Sequence, residues 1–168
     1  MIIVTGGAGF IGSNLVKELN KQGKDDIVIV DDLKDHNKME NLLDLRFSDY
    51  IHFEDFFTKF VDSIDTVETI FHQGACSDTT VDDLGYVMKV NFEYSKDLLK
   101  LAEKKKSSFI YASSASVYGN AINGFEEIRE NEKPLNYYAF SKFAFDQFVR
   151  SKIEKIKSQV VGLRYFNV

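Results

Sequence analysis

Among its 168 residues the chain has no tryptophan, one cysteine (Cys76), one proline (Pro134) and three histidines. A lone cysteine excludes an internal disulfide and suits a reducing compartment, so a cytoplasmic location is expected. His72 and Cys76 lie near one another, but no second cysteine or histidine cluster supports a ligand set. No metal is therefore expected, and Cys76 reads as a small packed thiol. No apolar run approaches the roughly twenty residues that cross a bilayer, and the chain opens at once on an apolar strand, which leaves no room for a signal peptide. The net charge of −5 disfavours a nucleic-acid or anionic-membrane surface. The one basic run, Lys104 to Lys106, reads as the end of a helix, where cations complement the dipole. Linkers, repeats and low-complexity tracts are also missing, and the length suits one domain.

What the chain has is apolar and aromatic: 44% hydrophobic residues, with 15 Phe and 8 Tyr, enough for a substantial core. Short apolar runs alternate with helical patterns throughout. Ile2-Ile3-Val4, Ile27-Val28-Ile29-Val30, Thr69-Ile70-Phe71-His72, Phe109-Ile110-Tyr111-Ala112 and Val160 to Arg164 read as strands, with Tyr50 to Phe53 as a weaker one. Helical stripes are predicted over 13–19, 54–64, 82–105 and 137–155, with a short helix or turn at 37–45. The stretch 120–134 is polar and irregular, closed by the only proline. This alternation predicts an α/β fold of Rossmann type, a doubly wound parallel sheet of about six strands with helices on both faces.

The most informative stretch is Thr5-Gly6-Gly7-Ala8-Gly9-Phe10-Ile11-Gly12, between the first strand and the first helix. Glycines there allow a sharp reversal, close backbone approach to a pyrophosphate and tight helix–strand packing. The helix that follows presents unpaired N–H groups and a positive dipole end to an anion. The second strand ends in Asp31-Asp32, about twenty residues on, where an acid receives a ribose hydroxyl. Strand four opens into Gln73-Gly74-Ala75-Cys76-Ser77, a small polar loop at the sheet edge where ligands lie in such folds. Asn91 is a polar residue in the middle of a long helix, beside its apolar face.

Tyr138 and Lys142 stand four apart on the last helix and so share a face. A free phenol, with a pKa of about 10, is a poor base at neutral pH, and a neighbouring ammonium favours its ionised form. Strand five releases Ser113-Ser114-Ala115, a hydroxyl-rich turn. In company with that turn, the Tyr138–Lys142 pair is a much stronger signal than it is alone.

These motifs together resemble the extended short-chain dehydrogenase/reductase superfamily, whose members act on nucleotide sugars. Leu33-Lys34-Asp35, Gly74-Ala75-Cys76-Ser77, Lys133-Pro134-Leu135-Asn136 and Arg164-Tyr165-Phe166-Asn167-Val168 are similar to its ADP-heptose epimerase branch. The resemblance implies that Gly6, Gly9, Phe10, Ile11, Gly12, Asp31, Asp32, Lys38, the Gln73–Ser77 loop and Asn91 hold the dinucleotide, with Tyr138 and Lys142 touching its nicotinamide end. It implies Tyr138 as catalytic acid/base, Lys142 as its tuner, Ser114 as the hydrogen-bond partner of the sugar oxygen, and Asn167 as the start of a substrate-binding segment. It further implies an ADP-sugar substrate, a tightly held NADP (NAD being the alternative), and a homo-oligomer for the full-length form.

Three residues depart from the branch. Asp32 stands where asparagine is common and Phe53 where lysine is, and both changes weaken a 2′-phosphate site. The family's glutamate before the loop is Gln73 here. Such enzymes continue for about another domain's length past the sixth strand, so a C-terminal substrate domain is expected, and residues 1–168 alone are expected to be inactive. Two other readings stay open: a sugar-nucleotide 4-epimerase or 4,6-dehydratase, and a non-catalytic dinucleotide-binding module. Against a dehydratase, Ala115-Ser116-Val117-Tyr118 carries no acid.

Overall fold

Runs rich in Ile and Val, too apolar to face water on either side, become the central strands of a parallel sheet. In the computed structural model, which describes residues 1–168, these are β1 (Ile2–Thr5), β2 (Ile27–Asp31), β4 (Thr69–His72) and β5 (Ser108–Ser114). The outer strands are β3 (Asp49–His52) and β6 (Val160–Tyr165). All six pair in parallel, in the order β3-β2-β1-β4-β5-β6. Every residue of β1 and β2 is buried.

Alternation along the strands divides the core into two layers. Ile3, Val28, Val30 and Ile70 point to one face with Phe56, Leu98, Leu99, Phe145 and Val149. Ile2, Val4, Ile27 and Ile29 point to the other with Val16 and Leu42. Thus α1 (Phe10–Lys21) covers one face, and α5 (Tyr94–Lys105) and α6 (Tyr137–Arg150) cover the opposite one. Completely burying a side chain such as Phe56 or Ile70 is worth about 1.5–3 kcal/mol. The sheet and its two helical layers are as the alternation predicts. A short α2 (His36–Glu40) follows β2, and no helix is long and apolar enough to cross a membrane.

The helical stripes differ from expectation in three places. The stripe over 54–64 is α3 (Phe53–Asp55), a π-helical turn (Phe56–Phe60) and a 3₁₀ turn (Val61–Ser63). Three phenylalanines fall within these five π-turn residues, and the widened turn lets Phe56 meet Phe57 edge-on at 5.0 Å and Phe60 at 5.9 Å. The stripe over 82–105 is α4 (Leu84–Met88), a π-helical turn (Lys89–Glu93) and α5. Asn91 sits inside that widened turn, a distortion common at functional sites. Finally, α6 stops at Arg150, five residues early. Ser151 Oγ donates to the Phe148 carbonyl at 2.8 Å, and Lys152 and Ile153 find no core to cover.

Strand order reverses between β1 and β4, which opens a crevice at the carboxyl ends of the strands. A buried chain of polar groups ties its walls together. Gly74 N–H donates to Thr5 Oγ1 at 3.2 Å, and the Thr5 hydroxyl donates to His72 Nδ1 at 2.6 Å. On the other side, His72 Nε2–H donates to Ser95 Oγ at 2.7 Å, whose proton goes to the Asn91 carbonyl at 2.6 Å. With both ends fixed, the imidazole is neutral and protonated on Nε2.

Burial, with the Lys142 charge adding to it, pushes His72 down to about 3. An unfolded histidine takes up its proton near pH 6.5. Stability from this group is therefore complete above about pH 6.5 and is lost as pH falls from there toward 3. The expected slope is up to about 1.4 kcal/mol per pH unit. Urea unfolding between about pH 6.5 and 4.5 should approach that slope in the wild type and show a flatter one in His72→Asn. Equal slopes would remove the neutral-imidazole account.

Candidate active site

Glycine at position 6 is required by the backbone. Its φ is +66°, and a Cβ there would lie 2.7 Å from Gly74 Cα. At Gly12 a Cβ would overlap the Gly6 carbonyl. The first helical turn and the β4 loop therefore both rest directly on the Gly6 backbone. Gly9 is the N-cap of α1 and offers no side-chain cap. The first-turn N–H groups at Phe10, Ile11 and Gly12 border a cleft of about 870 Å³ at the strand-order reversal. An uncapped helix N-terminus with glycine backbone around it fits a pyrophosphate.

At one end of the cleft lie Asp31, Asp32 and Lys38. Asp31 is 6% exposed. Its Oδ2 accepts Ala8 N–H at 2.9 Å, and its Oδ1 accepts Asp32 N–H at 2.7 Å and Lys38 Nζ at 2.8 Å. Lys38 also pairs with Asp32, and Lys34 Nζ approaches Asp32 at 3.2 Å. Burial pushes the Asp32 carboxyl up, and its hydrogen bonds to Lys38 and Lys34 more than offset this, so it is held below the usual range. Phe53 lines the same cleft.

The Gln73–Ser77 loop forms the facing wall. The Gln73 side-chain oxygen is buried with no partner, as a group awaiting a ligand donor would be. Asn91 differs from its companions in the expected cofactor set, because it does not line the cleft. It is 1% exposed and works from behind. Cys76 N–H donates to its Oδ1 at 2.8 Å, and its Nδ2 donates to the Cys76 carbonyl at 3.0 Å and to Ser141 Oγ at 3.0 Å. Ser141 in turn donates to the Tyr138 carbonyl at 2.7 Å. One side chain thus links the loop to the first turn of α6.

At the other end are Ser114, Tyr138, Lys142 and Asn167. The Asn136 side chain caps α6 by accepting Ala139 N–H at 2.8 Å, which places Tyr138 in the first turn. Burial holds the Tyr138 phenol above its usual range, with the Ser114 hydroxyl pulling the other way. Lys142 is almost wholly buried, donates to the Ala112 carbonyl at 2.8 Å, and lies 5.9 Å from the Tyr138 ring centre. Burial brings its ammonium down to about 8, against a raising influence from Asp146. At pH 7 it is still mostly charged. Lys142 is thus a buried cation beside the phenol rather than its direct hydrogen-bond partner.

Sequence reading passed over the ion network that holds this end in place. Glu132, 3% exposed, pairs with Arg150 and Arg164, and Arg164 reaches Asp146 at 3.3 Å. Asp146 also accepts from Tyr111 at 3.0 Å and Ser113 at 2.8 Å. Arg164 Nη1 donates to the Tyr118 hydroxyl at 2.6 Å. These contacts fasten α6 and β6 to the strand that carries Ser114. Glu132 lies in the irregular stretch before Pro134, and no local pattern marks it.

The sequence profile of the NAD dependent epimerase/dehydratase family matches residues 2–168. The ADP-L-glycero-D-manno-heptose-6-epimerase of Brachyspira hyodysenteriae is 59% identical over all of this chain, which covers 54% of that protein. A crystal structure of the Helicobacter pylori ADP-L-glycero-D-manno-heptose-6-epimerase superposes with a TM-score of 0.86 at 36% identity, over 99% of this chain and 55% of that one. The Bacillus cereus UDP-glucuronic acid 4-epimerase, solved in complex with NAD, gives 0.83 at 26% identity, over 99% of this chain and 56% of its own. The chain thus spans about half the length of the relatives it matches. With a profile match along nearly all its length, it belongs to the NAD dependent epimerase/dehydratase family.

Proposed function

We propose that this chain is the cofactor-binding and catalytic half of a nucleotide-sugar epimerase that interconverts ADP-D-glycero-D-manno-heptose and ADP-L-glycero-D-manno-heptose. The observation that carries the reading is one cleft with a glycine turn and Asp31 at one end and Ser114, Tyr138 and Lys142 at the other. The 59% identity to a heptose epimerase supports the choice of sugar. The cofactor is a nicotinamide dinucleotide, which supplies reversible hydride acceptance when bound. The resemblance implies NADP, while the carboxylates around Lys38 oppose a phosphate. A substrate-binding domain belonging to a longer protein completes the proposal.

In this reading Tyr138 Oη takes the proton of the sugar hydroxyl as that carbon becomes a ketone, and returns it when the other face is reduced. Lowering a phenol from about 10 to near 7 requires about 4 kcal/mol. Burial alone works against this. The buried charge of Lys142 and the Ser114 hydroxyl favour the phenolate. Ser114, itself held by Ser116 Oγ at 2.9 Å, orients the reacting oxygen. Lys142 is kept in register by the Ala112 carbonyl.

Two outcomes test this. In a protein extended to the length of its relatives, Tyr138→Phe should lower ADP-heptose epimerisation by at least about a thousandfold while leaving the dinucleotide bound; full activity would end the catalytic assignment. Residues 1–168 alone should show no measurable epimerisation, because misplacing a substrate by about 1 Å already costs about a hundredfold and part of the sugar pocket is assigned to the longer protein. Turnover by the short chain would place the whole pocket within these residues.

A further inference from the structure

The adenosine end of the cleft carries a charge arrangement that discriminates between the two nicotinamide dinucleotides. Asp31 is anchored on three sides, by the Ala8 N–H of the glycine turn, by the Asp32 N–H and by Lys38. It cannot swing away. Asp32 is fixed from two sides by Lys38 and Lys34. Lys38 therefore spends two of its three donors on carboxylates, and its stem is held where the start of α2 meets β2. Asn41, just after α2, adds a donor to the Ala8 carbonyl at 3.0 Å, so this corner is braced against rearrangement. Phe53, on the same wall, offers no charge.

A 2′-phosphate brings about two negative charges. Lys38 has one donor left to offer it, but its single charge is already set against both carboxylates, so a buried Asp31 and a half-buried Asp32 face the incoming dianion. A like charge placed there is repelled, and the one positive charge of Lys38 is already outweighed by the two carboxylates. Lys34 does not fill the gap, because it is largely exposed and already faces Asp32. A ribose with a free 2′-hydroxyl makes the opposite demand. It donates to a carboxylate, leaves the Lys38 pairs in place and needs no cation. Asp31 is tied by two backbone N–H groups as well as by Lys38, whereas the Asp32 carboxylate is held by lysines alone, so Asp32 is the charge that can be changed without undoing the glycine turn.

We propose, on the basis of the dinucleotide site described above, that Asp32 is a specificity-determining residue that makes this pocket select NAD over NADP by holding Lys38 as its ion-pair partner. Replacing Asp32 with asparagine removes one negative charge and loosens one Lys38 pair, which leaves a second donor and an unopposed share of the Lys38 charge for phosphate.

Isothermal titration of the 168-residue protein, freed of any co-purified nucleotide, provides the test. NAD should bind at least about tenfold more tightly than NADP. Asp32→Asn should shrink that ratio several-fold, by tightening NADP and weakening NAD through the lost carboxylate, with the circular dichroism spectrum preserved. Equal binding, or tighter binding of NADP, by the wild-type protein overturns the proposal while leaving the dinucleotide site standing. An unchanged ratio in a folded Asp32→Asn protein removes Asp32 as the determinant. Binding of neither nucleotide to folded wild-type protein overturns both the selectivity and the site on which it rests. The wild-type ratio alone decides the first question even if the variant fails to fold.

Discussion

At Gly6 three stretches of backbone meet with no room for a side chain. The turn leaving β1, the first turn of α1 and the loop leaving β4 touch there through bare peptide groups. Everything else at the crevice follows from that approach. It sets the uncapped N-terminus of α1 beside the Gln73–Ser77 loop, and it brings Ala8 N–H to the carboxylate at the end of β2. A single methyl group at Gly6 or Gly12 would push these segments apart before any ligand arrived.

The two ends of the cleft are then held by different physics. The Asp31 end relies on ion pairs near the surface, where Lys38 is shared between two aspartates. The Tyr138 end relies on buried polar connections. Asn91 links the cofactor loop to Ser141, and the neutral His72 links β1 and β4 to Ser95. Glu132 and Asp146 gather Arg150 and Arg164 so that α6, β5 and β6 move as one body. Removing one partner of such a buried set costs about 3–5 kcal/mol, so the position of Tyr138 is set by groups well outside the cleft.

The difference between local and long-range contacts explains what the sequence disclosed. The sheet was legible because its strands are uninterrupted apolar runs, and the glycine turn, Asp31 and the Tyr138–Lys142 pair because each is a short pattern with fixed spacing. Their gathering around one cleft follows from the strand order. The contacts of His72 with Thr5 and Ser95 join residues far apart in the chain, and so do those of Arg164 with Glu132. No spacing rule marks them. The π-helical turn at Asn91 also escaped, because a stripe of apolar residues reads the same through a one-residue bulge. Lys142 was legible as a neighbour of Tyr138, but its bond to the Ala112 carbonyl and its near-complete burial were not.

In the reading proposed above, these residues form a single preassembled dinucleotide site running from the α1 N-terminus to Tyr138. A crystal structure of the chain with bound NAD tests it most directly. The account predicts the pyrophosphate against the N–H groups of Phe10 and Ile11, the adenosine ribose on Asp31, and the nicotinamide ring beside Tyr138 and Lys142. A nucleotide bound elsewhere, or one whose nicotinamide end points away from Tyr138, would contradict it.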